Sequence, residues 1–366
     1  MTPQTHPPLS AVLLAAGEGR RMNSERPKPL HRLCGRPMLM YVLDSLAETD
    51  TRRAVIVVGH KGEWVAKKMQ EHAHHVEIEF VEQRVQRGTG DAAMVGLVGL
   101  PDDDDEGDVL VLPGDAPLLR PSTVADLVAH HRATGAAATL LTARMADPTG
   151  YGRVVRDDSG AVRRVVEQAD ADADELAIDE INTSIYCFNR NLLSPALRRL
   201  EPDNVQGEYY LTDVVSVLSA TGHAVEALVA ADAAETQGVN DRVQLASAES
   251  ELRRRTNDGL LRHGVTMLDP TSVFVDTTVA VGKDVTLFPG VILQGATTVG
   301  DGTELGPNTR LVDCEVGADC VIEQTTARSA RIGDRSVVGP YASLGPGAEI
   351  ASDVITGPFY TSDAAS

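Results

Sequence analysis

Over roughly the first 230 residues, short and continuously apolar runs alternate with amphipathic stretches: AVLLAA, PMLMYVLDSLAE, AVIVVG, EWVAKKMQEH, VEIEFVEQ. A strand apolar on both faces belongs in a parallel sheet with helices on either side, and the amphipathic stretches supply those crossovers. The alternation continues through DAAMVGLVGL, DVLVLPGD, STVADLVAHHRATG (a helix that Ser122 is expected to cap) and the strand AATLLTAR. This pattern predicts a three-layer α/β domain. From Asp241 onward, VQLASAESELRRRTNDGLLRH reads as one long helix with no strand beside it, and is expected to be a linker.

After that helix the period changes to six. Val275, Val281, Leu287, Leu293, Val299, Leu305 and Leu311 follow one another without a slip, with Gly282, Gly300 and Gly306 each next to an apolar position. A second phase picks up at Val316 and Ile322, a third at Ile332, Val338, Leu344 and Ile350. Such hexapeptide repeats predict a parallel β-helix whose apolar residues point inward, whereas a β meander would have period two. The terminal GPFYTSDAAS, broken by Gly357 and Pro358, is expected to cap that helix.

Composition narrows the partners. At 366 residues and 42% hydrophobic, the chain is long enough for two cores. Its net charge of -20 argues against nucleic acid or an anionic membrane as the main partner, so any bound anion must be held locally. The apolar segment from Leu9 to Ala16 is too short to span a bilayer and no lysine or arginine precedes it, which predicts neither leader nor anchor and a cytoplasmic location. Cys34, Cys187, Cys314 and Cys320 lack CxxC spacing and are expected to be reduced thiols. The acidic runs DDDDEGD and ADADADE do not follow calcium-loop spacing and read as solvated loops.

The candidate chemistry lies in LLAAGEGRRMNSERPKPL, Leu13 to Leu30. A glycine-rich loop at the carboxyl edge of a parallel sheet offers converging backbone N–H groups to phosphate. Met22 stands where a dinucleotide fingerprint needs glycine, and the Gly-Lys-Ser/Thr of a P-loop is absent. Instead Arg21 and Lys28 supply two cations, and Pro27 and Pro29 restrict the backbone around Lys28. A surface loop with solvated basic residues is the plain alternative.

LAAGEGRRMNSERPKPLHRLCGRPM resembles the signature of the sugar-1-phosphate nucleotidyltransferases, and its LHxLxGxPM continuation is most similar to the bacterial N-acetylglucosamine-1-phosphate uridylyltransferases of GlmU type. EQRVQRGTGDA, LPGDAPLL, PTGYGRVVR, VVEQ, EINTSIY, NVQGEYYLTD and GVNDRVQLA continue the likeness in the same order, and with the repeats they cover nearly the whole chain. The resemblance implies a Rossmann-like α/β nucleotidyltransferase domain with a mostly parallel sheet over residues 1–240, a linker helix over 241–264 and a left-handed parallel β-helix over 265–366. It implies attack by the phosphate of N-acetylglucosamine-1-phosphate on the α-phosphorus of UTP, with pyrophosphate leaving, Mg²⁺ as cofactor, and a homotrimer. The nucleophile is already an anion, so charge neutralisation and positioning carry the catalysis and no general base is needed.

Residue by residue, the resemblance implies that the backbone of Leu14, Ala15, Ala16 and Gly17 approaches the nucleotide, Gly17 and Gly19 leaving room, while Arg21 and Lys28 hold the triphosphate. Asp115, after Pro113 and Gly114, and Asn240 would hold the metal; helix capping is the alternative for both, although Ser122 is better placed than Asp115. Gln83, Gly88 and Thr89 would read the uracil, and Gly152, Glu167 and Asn182 the amino sugar, unless Gly152 only makes a turn and Glu167 only faces water. His31, His130 and His131 read as ordinary surface or core residues. Three positions depart from the pattern: Asp91 replaces a histidine, Ser184 a glycine of INTG, and Gly345 an arginine. No histidine follows His263 and no lysine follows Lys283, so the acetyltransferase activity of the bifunctional enzymes is not expected. An enzyme of the same class using glucose-1-phosphate with UTP, dTTP or ATP is the alternative. A non-catalytic sugar-nucleotide sensor or scaffold is disfavoured by the presence of Lys28, Asp115 and Asn240.

Overall fold

A computed structural model describes residues 7–71, 76–101 and 107–362, so most of DDDDEGD lies outside the described residues. Chain contacts divide it into two compact units, residues 1–31 with 37–244, and residues 32–36 with 245–366. The short 32–36 segment joins the second unit because Cys34 N–H donates to the Glu249 carboxylate at 2.7 Å and Thr277 N–H to the Cys34 carbonyl at 3.2 Å. The sequence alone placed it in the first.

In the first unit, β1 (Leu9–Ala15), β2 (Arg53–Val58), β3 (Glu77–Glu82), β4 (Asp108–Pro113), β5 (Ala138–Arg144), β6 (Arg153–Arg156), β7 (Val162–Val166), β8 (Glu180–Asn189) and β9 (Val225–Val229) form one nine-stranded sheet. Its main path runs β9-β5-β8-β4-β1-β2-β3, with β6 and β7 attached as a hairpin beside β8. All neighbours on the main path are parallel except β8, which runs antiparallel to both β4 and β5. Because strand side chains alternate, Val12 of β1 enters one core while Ala11 and Leu13 enter the other. Helices α1 (Met38–Asp44), α2 (Gly62–Gln70) and α4 (Pro121–Thr134) cover the Leu13 side; α3 (Thr89–Val98), α5 (Arg190–Leu197) and α6 (Asp213–Ala220) cover the Val12 side. Three layers result.

Ser122 does not cap α4. The helix begins one residue earlier, at Pro121, with Arg120 in the capping position and no side-chain cap of its own. Its open N-terminus is served from far along the chain: Glu235 accepts from Arg120 N–H at 3.2 Å and from the Thr123 hydroxyl at 2.9 Å.

The second unit carries α7 (Arg242–Arg262) from Leu245 onward and the β-helix. Three parallel sheets stack its short strands as the flat sides of a left-handed coil. Every apolar position picked out by period six is buried, and equivalent residues lie over one another, as in Val275, Leu293 and Leu311. The sequence phases are explained by Ala327, which continues that column under Leu344 and above Leu311. Spacing falls from six to five at Leu311–Val316, Ile322–Ala327 and Ala327–Ile332, so some corners lose a residue while the stack stays in register. In the terminal segment Thr361–Ser362 forms a further parallel strand on Ser343–Leu344, and residues 363–366, the rest of the expected cap, lie outside the described residues. Phe359, left-handed at φ 58°, turns the chain so that Ser343 N–H reaches the Tyr360 carbonyl at 2.8 Å.

All four cysteines are buried thiols, none of them in a disulfide. No helix among the described residues is long and apolar enough to cross a membrane.

Candidate active site

The parallel strands end side by side, and their ends build a cleft of about 490 Å³. Leu14 of β1 lies opposite Pro113 of β4, and Gly114 N–H donates to the Leu14 carbonyl at 2.8 Å, which seats the Gly-Asp turn against the glycine loop. Gln83 follows β3 directly, its N–H bonded to the last carbonyl of β2, that of Val58, at 2.8 Å. The reversed direction of β8 matters here. It brings the start of that strand, Asn182 to Ser184, to the edge where its neighbours finish.

Leu14, Ala15, Ala16, Gly17, Arg21, Lys28, Gln83, Gly88, Thr89, Pro113, Gly114, Asp115, Gly152, Glu167, Asn182 and Asn240 all line this one cleft. Lys28, in a short 3-10 turn between its two prolines, extends its ammonium to the Asp115 carboxylate and to the Asn240 side-chain oxygen, the latter at 2.8 Å. Neither partner caps a helix. Asp241 caps α7 instead, accepting from Val243 and Gln244 N–H at 2.9 and 2.8 Å. Gly17 faces open space, whereas Gly19 is left-handed at φ 63° and packs on the Lys28 side chain, where a Cβ would come to 2.9 Å of Lys28 Cβ. Its role is thus to let Lys28 lie close, rather than to leave room for a nucleotide.

One atom, Lys28 Nζ, reaches both Asp115 and Asn240, so those two oxygens converge on a single point. Two hard oxygen donors converging in this way fit the donor set that Mg²⁺ accepts, and Asp115 and Asn240 are the residues that would hold it. Among the described residues no cluster of three or more His, Cys, Asp or Glu is placed to hold a metal ion.

At the far end, Gln83 is buried and its amide nitrogen donates to the Asp91 carboxylate at 2.7 Å and the Gly88 carbonyl at 3.3 Å. Gly88 is required there: at φ 109°, a Cβ would come within 2.6 Å of the Tyr209 carbonyl oxygen. Glu167 accepts from the Thr212 hydroxyl at 3.1 Å and does not simply face water. Burial raises its carboxyl above the ordinary value, the Thr212 bond acts the other way, and the charges of Asp213 and Asp170 push it up further. Asn182 donates to the Tyr186 hydroxyl at 2.8 Å and accepts from Ser184 N–H at 3.3 Å across a bulge that holds Ser184 left-handed at φ 61°.

Sequence reasoning passed over several lining residues, Gln86, Tyr151, Glu208 and Gly238 among them. Gln86 donates to the Ala16 carbonyl and so fixes the glycine loop. Tyr151 is supported by buried Arg153, which donates to its carbonyl and, at 3.0 Å, to the Gln168 side chain. The segments QRVQRG and TGYGR held the signal, a polar run flanked by glycine, but neither showed which side chain turns inward.

Residues 10–235 match the model of the nucleotidyl transferase family. The bifunctional protein GlmU of Thermobifida fusca is 48% identical over 89% of this chain and 67% of its own length. The chain belongs to the GlmU family. Its GlmU relatives from Mycolicibacterium vanbaalenii and Carboxydothermus hydrogenoformans are 47% and 42% identical, over 94% and 96% of this chain and 70% and 77% of theirs. A crystal structure of a UDP-glucose pyrophosphorylase complexed with UDP-glucose superposes with a TM-score of 0.54 over 68% of this chain and 99% of that one; at 14% identity it speaks to the fold alone.

Proposed function

We propose that the chain transfers the uridylyl group of UTP to N-acetylglucosamine-1-phosphate and releases pyrophosphate, without a covalent enzyme intermediate. The observation that carries this is the convergence of Lys28, Asp115 and Asn240 between a glycine loop and a polar pocket containing Glu167 and Asn182. The sugar phosphate oxygen attacks the α-phosphorus, forming one P–O bond as the bond to the β-phosphate oxygen breaks. Both partners are anions, so the work of the site is to hold them in line and to offset charge. Arg21 and Lys28 face the phosphates, and the backbone from Leu14 to Gly17 receives the nucleotide. Gln83, with Gly88 and Thr89, meets the uracil; Glu167 and Asn182 take hydrogen bonds from the sugar, with Gly152 allowing its close approach. Asp115 and Asn240 would hold Mg²⁺, which when bound neutralises developing charge on the phosphates.

We also propose a homotrimer, for which the flat-sided β-helix supplies repeated faces. Light scattering should return three times the chain mass; a monomer at micromolar concentration would refute it. Pyrophosphate release from UTP, dTTP or ATP, each with N-acetylglucosamine-1-phosphate, glucosamine-1-phosphate or glucose-1-phosphate, tests the activity. The highest kcat/KM is expected for UTP with N-acetylglucosamine-1-phosphate, and EDTA should abolish it. A clear preference for glucose-1-phosphate would overturn the sugar assignment.

A further inference from the structure

Gln83 is buried at the rim of the cleft, and an unrestrained amide there would be indifferent between two orientations. Rotated one way it offers a carbonyl oxygen, rotated the other an N–H. The structure removes that choice. Both neighbours at one end of the amide, the Asp91 carboxylate at 2.7 Å and the Gly88 carbonyl at 3.3 Å, are acceptors without a proton to give. Only the NH₂ end can face them, and its two hydrogens serve the two acceptors. What remains is the Gln83 carbonyl oxygen, an acceptor alone.

Asp91 is well placed to enforce this. It lies in the first turn of α3, and the Gly88 cap before it is flanked by two backbone bonds, Tyr209 N–H to the Arg87 carbonyl and Gly90 N–H to the Tyr209 carbonyl, both at 2.8 Å. A carboxylate so positioned is a fixed acceptor, whereas a neutral imidazole or amide could present either sense.

We propose that Asp91 is a positioning residue for base selection: by holding the amide hydrogens of Gln83 it turns the Gln83 oxygen to the base, and the site then admits bases that carry N–H at ring position 3. Uracil and thymine carry it. Cytosine presents a lone pair there instead, so acceptor would meet acceptor. The inference rests on the reading of Gln83 as the base-contacting group.

Rates with UTP, dTTP and CTP, for wild type, Asp91→Ala and Asp91→Asn, test it. In Asp91→Ala only the longer bond to the Gly88 carbonyl, at 3.3 Å, still orients the amide, and the UTP-to-CTP ratio of kcat/KM should fall about tenfold, the size of one misdirected hydrogen bond. Asp91→Asn, nearly isosteric and so the safer variant for folding, should fall between wild type and Asp91→Ala, because its amide no longer dictates one sense. The UTP-to-dTTP ratio should stay put in both. In a Gln83→Ala background, Asp91→Ala should change the UTP-to-CTP ratio no further, since its effect passes through Gln83. Equal losses on all three nucleotides, with the UTP-to-CTP ratio unmoved in both Asp91 variants, would overturn the inference while leaving the uridylyltransferase reading intact. A wild-type protein that takes CTP as readily as UTP would instead overturn the base-reading role of Gln83, and this inference with it.

Discussion

Lys28 is held at its ammonium by Asp115 and Asn240, and its backbone is fixed by the prolines on either side. The prolines restrict its backbone, so little main-chain freedom is lost when the ammonium turns from these two oxygens to the phosphates. Lys28→Ala should therefore lower turnover by about 10²–10³-fold with the fold intact, the scale of one lost preorganised contact; stopped-time assays beside a circular dichroism melt would measure it. Glu167 gives a prediction of different sign. Burial raises its carboxyl above 4.5, so between that value and its own raised one the folded chain holds more proton than the unfolded chain, and stability falls as pH rises through that window. Above it the loss is complete. Glu167→Gln should accordingly melt higher than wild type at neutral pH and lose that advantage below about pH 4.5, where both unfolded and folded carboxyls are protonated. The same variant should raise KM for the sugar phosphate about tenfold if the carboxylate accepts from the sugar.

At the scale of elements, the β-helix depends on columns of residues more than on any single strand, since its strands are two or three residues long. Leu311 is wholly buried between Leu293 and Ala327. Leu311→Ala would place two alanines in succession in that column and should cost about 2–5 kcal/mol, read from the denaturant midpoint of the variant. The column also marks what the sequence made legible. Hexapeptide spacing disclosed the coil because leucine, valine and isoleucine stand out against polar corners; Ala327 did not, being too small to signal burial. In the α/β unit the strands were evident as apolar runs, but direction was not, because β8 looks the same whichever way it runs. Its reversal is nevertheless what brings Asn182 into the cleft. The cap of α4 failed for a related reason: Glu235 serves it from 112 residues away, and local spacing carries no such information. Residues of the cleft were legible where a motif surrounds them, as around Lys28 and Asp115, and obscure where support is indirect, as with Arg153 behind Tyr151.

The whole molecule bears a net charge of -20 and, as a uridylyltransferase, must accept two polyanions. A long-range field of that sign opposes their approach, so recognition falls to cations within the cleft. Lys28 has a second consequence at this scale. Its ammonium lies against the same two oxygens that would receive a divalent ion, so a free ion arriving alone must compete with a tethered positive charge. Nucleotide phosphates offer Lys28 another partner, and drawing it toward them uncovers Asp115 and Asn240. Binding of metal and of nucleotide should then be mutually reinforcing, each tightening the other by the same factor. Calorimetry should find feeble Mg²⁺ uptake by the protein alone and UTP affinity that climbs with Mg²⁺, while Lys28→Met should bind Mg²⁺ better without nucleotide than the wild type does. The lysine would thus act as a built-in counterion, keeping the acidic pocket closed to stray cations until the substrate brings its own.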